Sequence, residues 1–166
     1  RTEINDIVSA EDWVPTLVAA AGDPDIKNKL LQGYEAGGKT FKVHLDGYDQ
    51  GDLFAAMSAD KRREFFYWTD DGNLAGLRFD QYKVVFMEQR IQGTMQVWSE
   101  PFVKLRLPKV FNLRTDPYER ADITSNSYYD WFLHHDYILF GAYAIADKFA
   151  ATFKEFPPAQ KPNSFT

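Results

Sequence analysis

Residues 64–87 read EFFYWTDDGNLAGLRFDQYKVVFM, and no other stretch limits the possible folds as strongly. Three runs rich in aromatic and β-branched residues, FFYWT, LAGLRF and YKVVFM, follow one another closely. Asp70-Asp71-Gly72-Asn73 separates the first two. Gly and Asn accept positive φ at little cost, so this segment predicts a β-hairpin. A further strand is expected at TFKVHL before these runs, and another at KVFNL after them.

Helices are expected on either side. Ser9 is a good N-cap, with Asp12 in the capping-box place three residues on. Trp13, Val14, Leu17, Val18 and Ala21 recur at helical spacing, Pro15 sits early where it costs least, and Gly22 follows as a stop. Asp23-Pro24 reads as N-cap and first residue of a second short helix ending at Gly33. Gly37-Gly38 marks a break, and DLFAAMSADKRR predicts a helical turn or two. From Tyr128 to Phe156, Trp131, Phe132, His135, Ile138, Leu139, Ala142, Ile145, Ala146, Phe149 and Phe153 form one apolar stripe. That predicts a long amphipathic helix stopped by Pro157-Pro158. The stretch from Glu88 to Pro108 has no clean period and reads as a long loop with strand-like pieces, a length often tied to function. The fold class is therefore α+β: two short helices, then about four mostly antiparallel strands packed by a long C-terminal amphipathic helix.

At 166 residues, 45% of them hydrophobic and 16% aromatic, the chain can bury a substantial core. Its net charge of −5, from 19 basic and 24 acidic residues, argues against a nucleic-acid partner. No apolar run is long enough to span a membrane, and no signal peptide is visible. Without Cys, the chain holds no disulfide, zinc–thiolate site or cysteine nucleophile, which leaves the compartment open. It begins with Arg1 rather than Met, so a processed product or an excised fragment is expected.

Few residues suggest chemistry. His44, in an expected strand beside Asp46, reads either as a hydrogen-bonded structural residue or as a substrate contact. His134 and His135 are adjacent on a helix, about 100° apart, and cannot share a metal in the usual i, i+4 way; His135 fits the apolar stripe and His134 faces solvent. Asp46, Asp49 and Asp52 lack the spacing and distant Glu of a calcium loop, so a solvated turn is expected. The Glu88–Pro108 stretch carries Glu88, Gln89, Arg90, Gln92, Met95, Gln96 and Trp98. Trp98 could stack on a ring while the amides bond hydroxyls, or the stretch could simply pack on its own sheet. No Ser-His-Asp set, P-loop or dinucleotide fingerprint is present.

Four motifs occur in order across most of residues 4–122. They are Asp12-Trp13-Val14-Pro15-Thr16-Leu17; Asp46-Gly47; Ala75-Gly76-Leu77-Arg78 with Tyr82-Lys83; and Phe111-Asn112-Leu113-Arg114-Thr115-Asp116-Pro117-Tyr118-Glu119. Their order resembles the C-terminal part of the arylsulfatases, type I sulfatases of the alkaline-phosphatase superfamily. The last motif reads as structural: Phe111 and Leu113 face the core, Asp116-Pro117 starts a turn, and Glu119 and Arg120 solvate the exit.

The resemblance implies that residues 1–36 are the tail of the α/β catalytic domain and residues 37–166 the C-terminal α+β subdomain. The parent would be a sulfuric ester hydrolase acting on an aryl or sugar sulfate, with calcium and a formylglycine lying upstream. This chain would hold neither cofactor and no catalytic residue. Ser99-Glu100-Pro101-Phe102-Val103 has Val where the formylglycine motif needs Arg, and WTDDGN is the hairpin turn rather than the family's metal loop. The chain would scaffold the upstream catalytic domain and shape its substrate entrance, with His44, Arg90, Gln92, Met95, Gln96 and Trp98 as candidate contacts. An apolar side left uncovered on the first helix would favour self-association. The resemblance favours a periplasmic or secreted setting. The alternatives are a stand-alone binding module derived from a sulfatase, and an unrelated small hydrolase using His44 and a nearby Asp.

Overall fold

The computed structural model describes residues 3–57, 61–91 and 95–158. The chain forms two compact units, Arg1–Arg63 and Glu64–Thr166.

In the first unit a 3-10 turn, Ala10–Asp12, runs directly into α1 (Trp13–Ala20). The Ser9 N–H donates to the Asp12 carboxylate at 2.9 Å, as the capping-box spacing predicts. Gly22 closes the helix at φ 105°, with its own N–H on the Ala19 carbonyl and that of Asp23 on the Val18 carbonyl. Helix α2 (Ile26–Gln32) starts later than Asp23-Pro24 suggested, because Asp25 is its N-cap and Asp23 instead binds the Lys29 ammonium at 2.8 Å. Strands β1 (Tyr34–Ala36) and β2 (Lys39–Phe41) make a two-stranded hairpin whose tip is Gly37-Gly38 at φ 58° and 76°. The strand expected over TFKVHL thus ends at Phe41 and belongs to this hairpin. Residues 42–50 have no regular secondary structure, and α3 (Gly51–Phe54) follows.

The second unit holds the predicted antiparallel sheet and the C-terminal helices. Strands β3 (Glu64–Trp68), β4 (Leu74–Phe79), β5 (Tyr82–Glu88) and β6 (Val103–Asn112) form one antiparallel sheet in chain order. The Asp70–Asn73 turn joins β3 to β4, with Gly72 at φ 78° and the Thr69 N–H on the Asn73 carbonyl. Phe66, Leu77, Val84 and Val110 stand in register across the four strands. Leu77, Val84 and Val110 are almost fully buried, packed with Phe132, Ile138 and Ala142 of the C-terminal helices.

Two expectations change. Val103–Pro108 is not loop but the first part of β6. The pairing steps from Val85↔Lys109 to Met87↔Lys104, so one residue of β5 spans four of β6, and this irregularity hides the strand period. The long helix is two helices, α5 (Tyr128–His134) and α6 (Tyr137–Ala150), preceded by the short α4 (Ala121–Thr124). The break lies at His135, whose Nδ1 occupies the Trp131 carbonyl at 2.7 Å while its N–H turns to the Phe132 carbonyl. A side chain competing for a helix acceptor interrupts the ladder. A 3-10 turn, Ala151–Lys154, ends the bundle before Pro157.

Candidate functional site

The irregular segment 42–50 is fixed by side chains from elsewhere in the first unit. Asp12 and Thr16 lie one helical turn apart and reach it together. The Tyr48 N–H donates to Asp12 Oδ1 at 2.8 Å, the Gln50 N–H donates to Thr16 Oγ1 at 2.9 Å, and the Thr16 hydroxyl donates to the Tyr48 carbonyl at 3.3 Å. Lys27 Nζ donates to the Gly47 carbonyl at 2.6 Å, and Arg62 Nη2 to the Asp46 carbonyl at 3.1 Å. A Cβ on Gly47 would overlap the carbonyl oxygen of Glu11, so no other residue fits there unless the backbone moves.

At the centre is a buried ion pair between Asp12 and Arg62, with Nη2–Oδ1 at 2.6 Å and Nε within 3.1 Å of both carboxylate oxygens. Glu11 adds a second carboxylate at 2.7 Å, and the guanidinium carbon lies 5.0 Å from the centre of the Tyr48 ring. Burial pushes the Asp12 carboxyl up. Hydrogen bonds from Arg62 and from the Ser9 and Tyr48 amides outweigh this and hold it below the usual range. Burial raises the carboxyl of Glu11 despite Arg62, and lowers the ammonium of Lys27. The arrangement is a lock that fixes backbone.

His44 is presented by this clamped segment. Its Nδ1 lies 2.8 Å from Asp46 Oδ1, so the aspartate orients the ring. The other aspartates of the run are engaged as well: Asp49 Oδ1 accepts the Gly51 N–H, and Asp49 and Asp52 face Lys61 Nζ at 3.8 and 3.7 Å. Among the described residues no three His, Cys, Asp or Glu side chains gather as metal ligands. His134 is exposed, and His135 stacks on Trp131 at 4.5 Å.

Arg90, Met95, Gln96 and Trp98 belong to the second unit, whereas His44 belongs to the first. Gln92 lies outside the described residues. Met95–Trp98 is a 3-10 turn whose Gln96 carbonyl accepts the Ser99 and Glu100 amides. Gln89 ties the excursion to itself, donating from Nε2 to the Val97 and Glu100 carbonyls at 2.9 and 2.7 Å. Trp98 and Met95 stand 83% and 82% exposed. The turn thus displays an aromatic ring and a thioether, while Gln89 is consumed in holding it.

The later motifs in the second unit also resolve into contacts. Asp116 holds the entry to α4, its two carboxylate oxygens accepting the Arg120 and Ala121 amides at 3.1 and 2.8 Å. Glu119, at φ 54°, does not merely solvate the exit: both its oxygens take Lys83 Nζ at 2.8 Å. Lys83 also sits 4.7 Å from the centre of the Tyr67 ring. Tyr128 accepts the Val110 N–H at 3.0 Å and donates to the Val110 carbonyl at 3.2 Å, occupying the outer edge of β6. The sequence suggested none of the partners Arg62, Lys27 or Tyr128.

No family model matches the sequence, and no curated protein does. Among solved structures, the chain is similar to the PsFucS1 sulfatase from Pseudoalteromonas sp., with 22% identity and a TM-score of 0.50. The similarity covers 70% of this chain and 22% of that one, so the chain spans about a fifth of that sulfatase's length. At this identity the likeness is one of fold: the chain is built like a segment of a sulfatase.

Proposed function

We propose that this chain is the C-terminal region of an arylsulfatase, a scaffold and substrate-entrance element for a catalytic domain carried upstream in its parent protein. The observation that carries the reading is the behaviour of the four ordered motifs on a sulfatase-like fold. Each supplies a framework contact: Asp12 and Thr16 to segment 48–50, Gly47 against Glu11, Lys83 to Glu119, and Asp116 to the start of α4. Residues that recur for structural reasons in one order are what a shared subdomain would retain. In this reading residues 1–36 complete the catalytic domain. The exposed Trp13, Val14 and Leu17 supply apolar surface for it.

The excursion around Met95–Trp98 would then form the lip of the entrance, with Arg90 and Trp98 as its charged and aromatic contacts for an aryl or sugar sulfate. Hydrolysis itself would use calcium and a formylglycine outside this chain, and no step of it is assigned to these residues.

The test is to read the coding sequence upstream of Arg1 and to assay the whole protein on an aryl sulfate. A formylglycine motif with early paired aspartates, and activity that Trp98→Ala weakens mainly through KM, would support the reading. A start codon within a few residues of Arg1 would overturn it in favour of a stand-alone binding module.

A further inference from the structure

Helices α5 and α6 bury Phe132, Ile138 and Ala142 against the sheet, and they also carry apolar groups that nothing in the chain covers. Tyr129, Leu133, Tyr137, Phe140 and Tyr143 are between 45% and 71% exposed. Their rings are braced from behind. Tyr129 stands edge-on to Tyr128 at 5.3 Å, Tyr143 lies 5.8 Å from Phe86, and Tyr137 lies 5.9 Å from His135, the residue at the break between the helices. Side chains held in this way lose little further freedom when another surface packs on them.

The spacing on α6 gives these groups an order. Tyr137, Phe140, Ala144 and Asp147 follow one another at intervals of three and four residues, so they stand in one line along the outward face. Ala144 is exposed like Phe140, so a large ring and a small side chain occupy successive turns of that line. Asp147 and Lys148, both exposed, end its apolar part.

We propose that this outward stripe is the interface of a two-fold dimer, with α6 packed antiparallel on α6 of a second copy of the chain. Two observations favour a second copy as the occupant. The first is that the line on α6 is its own complement. In an antiparallel pair the positions mirrored about residue 142 fall level, so Phe140 meets Ala144 of the other copy, and the same contact forms again by symmetry. A large ring against a small side chain lets the two helices approach closely, whereas ring against ring would hold them apart. The second is area. An aromatic side chain carries about 150–250 Å², so the five exposed groups offer roughly 500–600 Å² on each copy. Two copies would bury about 1,000–1,200 Å² in all, which is the lower end of what a specific dimer needs and implies a weak, reversible one.

The experiment is sedimentation equilibrium of the 166-residue chain over about 10–300 µM, where mass action should carry the apparent mass from one chain towards two. Phe140→Glu and Ala144→Phe should each keep it at one chain, the first by charging the interface and the second by setting ring against ring. Both positions are exposed, so at the lowest concentration the Tm should stay within about 2 °C of the unchanged chain. The exchange Phe140→Ala with Ala144→Phe restores a large–small pair and should restore the dimer. Leu17→Glu, on the exposed side of α1, should leave it intact. A chain that stays single at every concentration would overturn the proposal. So would a dimer that Leu17→Glu dissociates and Phe140→Glu does not, since α1 would then be the contact. An exchange that stays single would overturn the antiparallel pairing. The same chain with its native upstream residues supplies the last check. If it stays single and Phe140→Glu lowers its Tm, the stripe is covered by the upstream domain and not by a second copy.

Discussion

A methyl group on Gly47 would overlap the Glu11 carbonyl, and the neighbouring amide of Tyr48 is already fixed on Asp12, so the backbone there cannot easily retreat. Gly47→Ala is expected to cost about 3 kcal/mol, near the upper end of ordinary overpacking, as read by urea unfolding. Asp12→Asn removes the buried carboxylate of the pair and leaves Glu11 to hold the Arg62 guanidinium, a loss of about 3 kcal/mol at pH 7, the lower end for a broken buried pair. Its pH dependence follows from the direction of the shift. The folded Asp12 carboxyl lies below its unfolded value, so its stabilisation is complete above that value, near pH 4, and is lost as pH falls through the folded one. Glu11 is shifted upward and runs the other way, gaining on protonation. The gap between Asp12→Asn and the wild-type chain should therefore narrow below about pH 4; a gap constant to pH 3 would contradict the assignment. Asp12 was legible as a cap three residues from Ser9. Its partnership with Arg62 was not, because the two are fifty positions apart and nothing local marks either as paired.

Among the elements, the β3–β4–β5 meander was readable because its turn chemistry and its aromatic runs agree. The structure bears out the hairpin at Asp70–Asn73. Strand β6 was only half readable: the displaced register opposite Phe86 scrambles alternation over Leu105–Pro108. The helix break at His135 was also invisible, since the apolar stripe continues through it and only the ring's bond to the Trp131 carbonyl interrupts the ladder. Tyr128 explains how the edge of β6 is closed. Burial raises its phenol, although the bond with Val110 pulls the other way. Tyr128→Phe would leave the Val110 amide and carbonyl without their partner, at about 1–3 kcal/mol. Hydrogen exchange should show it locally, with the Val110 amide losing protection more than that of Val84. Equal loss at both amides would mean a global effect instead.

At the scale of the whole molecule, the two units are built from different materials. The second draws its core from its own sheet and helices, with Leu77, Val84, Val110, Phe132, Ile138 and Ala142 all buried. In the first, the buried apolar side chains among the described residues are Pro15, Ile26 and Leu53, beside the polar Asp12, Thr16, Gln50 and Arg62. Its larger apolar groups face outward, Trp13 at 50% and Leu17 at 60% exposure. The helical spacing identified these residues correctly as a stripe. It did not show that the opposite face, Asp12, Pro15 and Thr16, is the buried one in this unit. A polar interior contributes specificity but little net free energy, and a unit of about sixty residues is marginal even with an apolar core. Residues 64–166 expressed alone are therefore expected to unfold cooperatively with near-UV circular dichroism intact, whereas residues 1–63 alone should show no cooperative thermal transition. A cooperative melt of residues 1–63 would mean that the Asp12–Arg62 lock suffices to hold the segment. The exposed stripe of α1 would then need no covering domain, and the stand-alone module would become the better account of the chain.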